Sequence, residues 1–134
     1  MAEVSLHAVS KRFGETRAVD DMTLTVPDGA FVVLLGPTGA GKTTTLRLIA
    51  GLEEADSGTI RIAGRDGTRD TPAQRNVAMV FQQYSLYPHL SVRENLAFPL
   101  RSPMLRMPED RIARRIAEVA EVLHISHKLD SRST

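Results

Sequence analysis

Gly36-Pro37-Thr38-Gly39-Ala40-Gly41-Lys42-Thr43-Thr44 follows a continuous apolar run, Phe31-Val32-Val33-Leu34-Leu35, and precedes Leu46, Ile49 and Ala50 at helical spacing. The nine residues have the form G-x-x-x-x-G-K-[ST], with Gly36, Gly41, Lys42 and Thr43 at its defining positions. Each residue type has a separate physical use. Gly36, Gly39 and Gly41 allow φ > 0, so that backbone N–H groups can turn inward around an anion. The helix that follows aims its N-terminal dipole at the same anion, worth roughly 0.3–2 kcal/mol. Lys42 is a mobile point charge suited to β- and γ-phosphates, and the Thr43 hydroxyl can ligate Mg²⁺. The apolar run before the loop is that of a parallel strand buried on both faces. Gly51 stands where the helix needs a C-cap. A chance glycine-rich turn has no reason to sit between such a strand and such a helix.

Composition sets limits around this stretch. With 134 residues the chain can form one domain with a core of its own. A net charge of +1 gives no argument for nucleic acid or a charged membrane surface as partner. The absence of Cys excludes disulfides and thiolate metal sites and fits a reducing compartment. The opening MAEVSLHAVSKRF is charged early and has no apolar core, so no signal peptide is expected. No apolar stretch approaches the ~20 residues of a membrane span. The expectation is a soluble, cytoplasmic chain.

Working outward, Val4 to Phe13 and Asp21 to Val26 read as strands, with a turn at Gly14-Glu15. In the second, Met22, Leu24 and Val26 alternate with Asp21, Thr23 and Thr25, the pattern of an antiparallel strand with one wet face. Thr59 to Ala63 and Val77 to Phe81 read as further strands, and 64–71 as irregular. Ser91-Val92-Arg93-Glu94 has the form of a capping box, opening a helix that Pro99 disturbs. Pro108 at the first helical position, with Glu109 and Asp110 behind it, opens another. Its apolar stripe is Ile112, Ile116, Val119 and Leu123. Arg111, Arg114 and Arg115 fall largely off the stripe and read as a solvated face in preference to a nucleic-acid patch.

Three stretches together, VSKRFGETRAVDDMTLTV, LLGPTGAGKTTTLRLIAGLEEADSGTIRIAG and VAMVFQQYSLYPHLSVRENLAFPL, resemble the nucleotide-binding subunit of ABC transporters over essentially the whole chain. The similarity is closest to importer ATPases serving carbohydrates and related solutes. It implies an α/β fold of the P-loop NTPase type: a partial core parallel sheet, an antiparallel β subdomain and the start of a helical subdomain. The implied division is 1–30 with 57–64 as β subdomain, 31–56 with 77–82 as P-loop core, and 91–134 as helical subdomain. The cofactors implied are ATP and Mg²⁺. Phe13 falls where the family stacks an aromatic on adenine, sheet packing being the competing use of that ring. Gly36, Pro37, Thr38, Gly39, Ala40, Gly41, Lys42, Thr43 and Thr44 form the phosphate loop. Gln82 falls on the glutamine that reaches Mg²⁺ or the attacking water, so Lys42 and Gln82 are the implied catalytic residues and Thr43 and Gln82 the implied metal ligands. Tyr84 to Val92 matches the segment that receives an integral-membrane permease subunit, although His89 alone reads as local packing.

The resemblance further implies a second ATPase subunit as homodimer partner, no nucleic acid, and a peripheral place on the inner face of the cell membrane. The family's Leu-Ser-Gly-Gly-Gln signature, its catalytic Glu and its switch His do not occur in these 134 residues. The expectation is an N-terminal piece of such an ATPase that binds nucleotide without turning it over. A soluble, non-transport ABC-type ATPase and an inert nucleotide-binding remnant are the alternatives. In the family fold the strands 31–35 and 77–81 are not neighbours, so both are expected to show unpaired, apolar edges.

Overall fold

The alternating N-terminal segments form a hairpin, β1 (Val4–Phe13) and β2 (Thr16–Val26), closed by a turn at Gly14-Glu15. A computed structural model describes residues 2–83, 85–103, 105 and 107–132. β2 begins at Thr16, five residues before the strand expected from Asp21, because the pairing continues through Arg12↔Arg17 and Phe13↔Thr16. β3 (Ser57–Ile62) pairs antiparallel with the other edge of β1, and the two-residue β4 (Arg65–Asp66) follows within the stretch expected to be irregular. The sheet order is β2-β1-β3-β4. Bulges interrupt β1, and side chains replace the missing ladder bonds. Ala8 N–H donates to Thr23 Oγ1 at 3.0 Å and Asp21 N–H to Ser10 Oγ at 2.9 Å.

The chain divides into two compact units, 1–79 and 80–134. In the first, α1 (Lys42–Ala50) lays Leu48 on Leu6, Val9, Val19, Ala55 and Ile60, with Val4, Met22 and Ile49 at the margin. Full burial of one such aliphatic side chain stabilises by roughly 1.5–3 kcal/mol. The inward face of α1 is Thr45, Leu48 and Ala50. Leu46, expected on it, is exposed. The reason is polar: the Thr45 hydroxyl donates to the Gly41 carbonyl at 2.9 Å, and so a polar side chain turns inward without an unpaired group. A short α2 (Pro72–Arg75) opens on a Thr71/Gln74 capping box.

The expected strands 31–35 and 77–81 do not form. Among the described residues no backbone hydrogen bond engages either segment, and neither joins the other. A β-strand exists only by its ladder, and every strand that does form belongs to the antiparallel sheet. The parallel core sheet is therefore absent from the described residues. Its sequence stands with apolar side chains in solvent: Phe31 is 92% and Leu35 88% exposed.

In the second unit, α3 (Val92–Ala97) opens on the Ser91/Glu94 capping box, with Ser91 N–H donating to Glu94 Oε2 at 2.7 Å and Glu94 N–H to Ser91 Oγ at 3.2 Å. At Phe98–Arg101, around Pro99, the helix tightens to 3₁₀ geometry. α4 (Glu109–Val122) takes Pro108 as its N-cap, one place earlier than expected. Ile112, Ile116 and Ala120 pack with Ala97 and Leu129, while Leu123, expected in the stripe, lies past the helix end and is exposed.

Candidate functional site

The loop Gly36–Thr44 is presented by the N-terminus of the nine-residue α1 and is exposed over most of its length. Gly39 and Gly41 have φ of 83° and 79°, as expected, whereas Gly36, expected to use the same freedom, does not take a positive φ. Gly41 is fixed for a second reason. A Cβ there would stand 2.1 Å from the Ala18 carbonyl oxygen of β2, so only glycine lets the loop approach the sheet this closely. No side chain caps α1 and no acidic residue lies in its first turn. Among the described residues, the N–H groups of Gly39, Gly41, Lys42, Thr43 and Thr44 donate to no protein acceptor. These exposed donors at a helix N-terminus are the chemistry of an anion site.

Lys42 closes the loop on itself. Its ammonium donates to the carbonyls of Gly36 and Pro37, each at 2.7 Å. An anion seated on the free N–H groups would compete with these two carbonyls for the same cation. Thr43 is exposed, with its hydroxyl open to solvent, and Thr44 is half-buried. No group of three or more His, Cys, Asp or Glu side chains suited to a metal occurs among the described residues. A metal here would depend on the Thr43 hydroxyl and on the oxygens of a bound ligand, which suits Mg²⁺ with a phosphate and no dedicated protein cage. The residues present therefore fit a nucleoside phosphate with Mg²⁺.

Phe13 ends β1 and is 46% exposed, so its ring is not consumed by sheet packing. It pairs with Thr16, two residues from the Ala18 carbonyl that touches Gly41, and so the aromatic end of the hairpin lies beside the loop. Phe13 and Gly36–Thr44 belong to the same unit. Gln82 belongs to the other unit, exposed in a turn.

Of the segment expected to meet a membrane subunit, Tyr84 lies outside the described residues. The rest is held by Asn95 of α3. Its side chain accepts the Tyr87 N–H at 2.8 Å and donates to the Tyr87 carbonyl at 3.1 Å. The Tyr87 ring stands 4.5 Å from that of Phe98 and 6.1 Å from that of His89, a local-packing role for His89 as expected. Tyr87, His89, Leu90, Phe98 and Pro99 line an open, largely apolar hollow of about 670 Å³.

Arg75 escaped sequence reasoning. It is buried, and its guanidinium donates to the Leu48 and Ile49 carbonyls at the end of α1 and to the carbonyls of Thr68 and Asp70. Burial lowers its pKa from the ordinary arginine value, with Asp70 opposing. The only signal was indirect: the Thr71-Pro72-x-Gln74 capping pattern places a short helix that ends on Arg75.

Residues 19–134 match a family profile described as ABC transporter. The chain belongs to the ABC transporter family. It is 48% identical over 134 residues to the trehalose import ATP-binding protein SugC of Mycobacterium tuberculosis, covering 98% of this chain and 33% of that protein. It is also 48% identical, over 132 residues, to the maltose/maltodextrin import ATP-binding protein MalK of Yersinia pestis and the sn-glycerol-3-phosphate import ATP-binding protein UgpC 1 of Rhizobium etli. These alignments cover 98% of this chain and 35% and 38% of those proteins. This ABC transporter chain thus spans about a third of the length of these relatives. Among solved structures, a nucleotide-free ATP-binding cassette from an ABC transporter superposes with a TM-score of 0.81 at 26% identity, over 99% of this chain and 58% of that one. A dimeric cassette in a post-hydrolysis state, bound to ADP and Pi, gives 0.81 at 27% identity, over 97% and 61%. These neighbours make the fold an ABC ATPase cassette in part.

Proposed function

We propose that this chain carries the nucleotide-binding part of an ATP-driven importer subunit, with ATP received at Gly36–Thr44 and Phe13. The observation that carries the reading is the set of N–H donors without a protein acceptor at Gly39, Gly41, Lys42, Thr43 and Thr44, beside the Lys42 ammonium. In this reading the loop N–H groups hold the phosphates, Lys42 leaves the Gly36 and Pro37 carbonyls for the β- and γ-phosphates, and Phe13 takes the adenine face. The Thr43 hydroxyl serves Mg²⁺, which when bound would neutralise phosphate charge. Calorimetry with MgATP and MgADP tests the site. Lys42→Ala should weaken ATP more than ADP, because only ATP has a γ-phosphate for Lys42. Equal affinity of folded variant and parent chain would remove Lys42 from the site.

The names of the relatives, which print import of trehalose, maltose/maltodextrin and sn-glycerol-3-phosphate, support a solute of carbohydrate or related class. The same proposal includes a membrane permease as partner through Tyr84–Val92, a homodimer of ATPase subunits and a place on the inner face of the membrane. The hollow beside Tyr87 and Phe98 supplies apolar surface for such a partner. Co-purification with an integral membrane protein tests this against a soluble ABC-type ATPase. The 134 residues by themselves lack the signature and the catalytic Glu, and removal of even one transition-state donor can cost ~10²–10³ in rate. Purified chain is therefore expected to bind without turnover. Phosphate release at ~1 s⁻¹ or more, abolished by Lys42→Ala, would contradict that.

A further inference from the structure

We infer that Lys11 and Asp56 are positioning residues for the base-binding ring, holding Phe13 so that one face is covered by the Lys11 ammonium and the other is offered to a nucleobase. The inference rests on the nucleotide reading given above and adds to it two residues with no part in phosphate binding. Lys11 Nζ lies 5.4 Å from the centroid of the Phe13 ring, within cation–π range. The same ammonium is 3.3 Å from Asp56 Oδ1, and the Lys11 side chain is only 14% exposed, so the cation is held and does not sweep through solvent. Asp56 Oδ2 accepts the N–H of Arg12, the residue between Lys11 and Phe13, at 2.7 Å. Asp56 N–H donates to the Ser10 carbonyl at 2.9 Å. Residues 10–12, which lead directly into Phe13, are thus pinned at three points to one aspartate.

That aspartate lies six residues beyond α1, in the segment joining the loop's helix to β3. Gly41 meets the other strand of the hairpin at Ala18. The hairpin is therefore held at Ala18 on β2, where Gly41 of the phosphate loop approaches it, and at residues 10–12 of β1 by Asp56, which follows the loop's helix. A base and its phosphates are joined covalently, so a fixed distance between ring and loop lowers the ordering cost of binding both. A surface ion pair alone would give the Lys11–Asp56 contact, but it would not need the Phe13 ring beneath the ammonium or the Arg12 N–H on the second oxygen.

The test compares MgATP with Mg-tripolyphosphate, which has the phosphates and no base, by calorimetry on the 134-residue chain. Lys11→Met keeps the apolar stem and removes the charge. It should weaken ATP about two- to fivefold, the range of an exposed cation–π contact, and leave tripolyphosphate unchanged, which also shows that the variant is folded. Lys11→Arg should restore ATP affinity. In a Phe13→Ala background, Lys11→Met should change ATP affinity less than twofold. Unchanged ATP affinity in Lys11→Met, equal losses for ATP and tripolyphosphate, or a full Lys11 effect without the Phe13 ring would each overturn the inference. A parent chain that binds neither probe would overturn the nucleotide reading and this inference with it. A parent that binds both, with an unaffected Lys11→Met, overturns the inference alone.

Discussion

β1 and the stretch 31–35 lie in the same unit, and both are rich in aliphatic side chains, yet they end in opposite states. Leu6 and Val9 are buried at 1% and 0% exposure between two paired strands and α1, whereas Phe31 and Leu35 stand at 92% and 88%. The difference is one of partners. β1 has β2 two residues away through a turn, and β3 returns to its other edge after a single helix. Residues 31–35 would need parallel neighbours, which demand long crossovers, and among the described residues no strand lies beside them. Apolarity makes burial favourable, but the ladder decides whether a strand exists. The phosphate loop sits at the join of these two states. It is anchored on the paired side by Gly41 at Ala18 and by Thr45 in the core, and its other flank leads back into an unpaired run.

The widest separation between the two regions should appear in aliphatic truncation. Ile60→Ala removes a fully buried side chain of the sheet core and should destabilise by about 2–5 kcal/mol. Val33→Ala, in the exposed run, should change stability by less than ~0.5 kcal/mol. Urea melts of the two variants check this, and similar losses in both would mean that 31–35 is packed in solution. A smaller effect is expected for Arg75→Ala. It leaves the Leu48 carbonyl without its buried guanidinium partner and should cost about 1–3 kcal/mol on the same scale. A neutral outcome would show that water replaces the guanidinium there. Gly51 depends on the same side chain, since a Cβ on it would stand 2.7 Å from Arg75 Nε.

The smallest effect is one of pH. The Arg12 N–H holds the Asp56 carboxyl below its ordinary value, with Lys11 adding to the shift and partial burial opposing it. A depressed carboxylate stabilises the folded state above its unfolded pKa, ~3.9, and that contribution is lost as pH falls through the folded value. The urea midpoint of the parent chain should therefore exceed that of Asp56→Asn by a constant margin at neutral pH, and the margin should shrink below about pH 4. A margin that grows on acidification would reverse the sign and remove Asp56 as an ionised partner of residues 11–12.

Much of this was legible because the signals were local. The Gly14-Glu15 turn, the alternation of Met22, Leu24 and Val26, the Ser91/Glu94 capping box and the Gly51 C-cap each concern residues within a few places of one another. The loop itself was legible for the same reason. What was not legible depends on distant partners. Arg75 reads as a surface arginine until four carbonyls from separate segments are seen to meet it. Leu46 reads as core because apolarity alone set the helical phase, and Thr45 takes that place by satisfying its hydroxyl on Gly41. Phe31 to Leu35 reads as a strand because its side chains suit one, while the ladder depends on residues elsewhere. The link from Asp56 to Lys11 and Arg12 spans more than forty residues and has no periodic trace.

Amide hydrogen exchange across the first unit, measured with and without MgATP, tests the central contrast most directly. The ladder amides of β1 and β3, including those of Leu6 and Arg61, should be protected in both conditions, and the amides of 31–35 should exchange as open chain. MgATP should slow the amides of Gly39, Gly41, Lys42, Thr43 and Thr44, whose N–H groups otherwise lack a protein acceptor among the described residues. Protection of 31–35 equal to that of the β1 ladder would contradict the account, and so would loop amides indifferent to saturating MgATP.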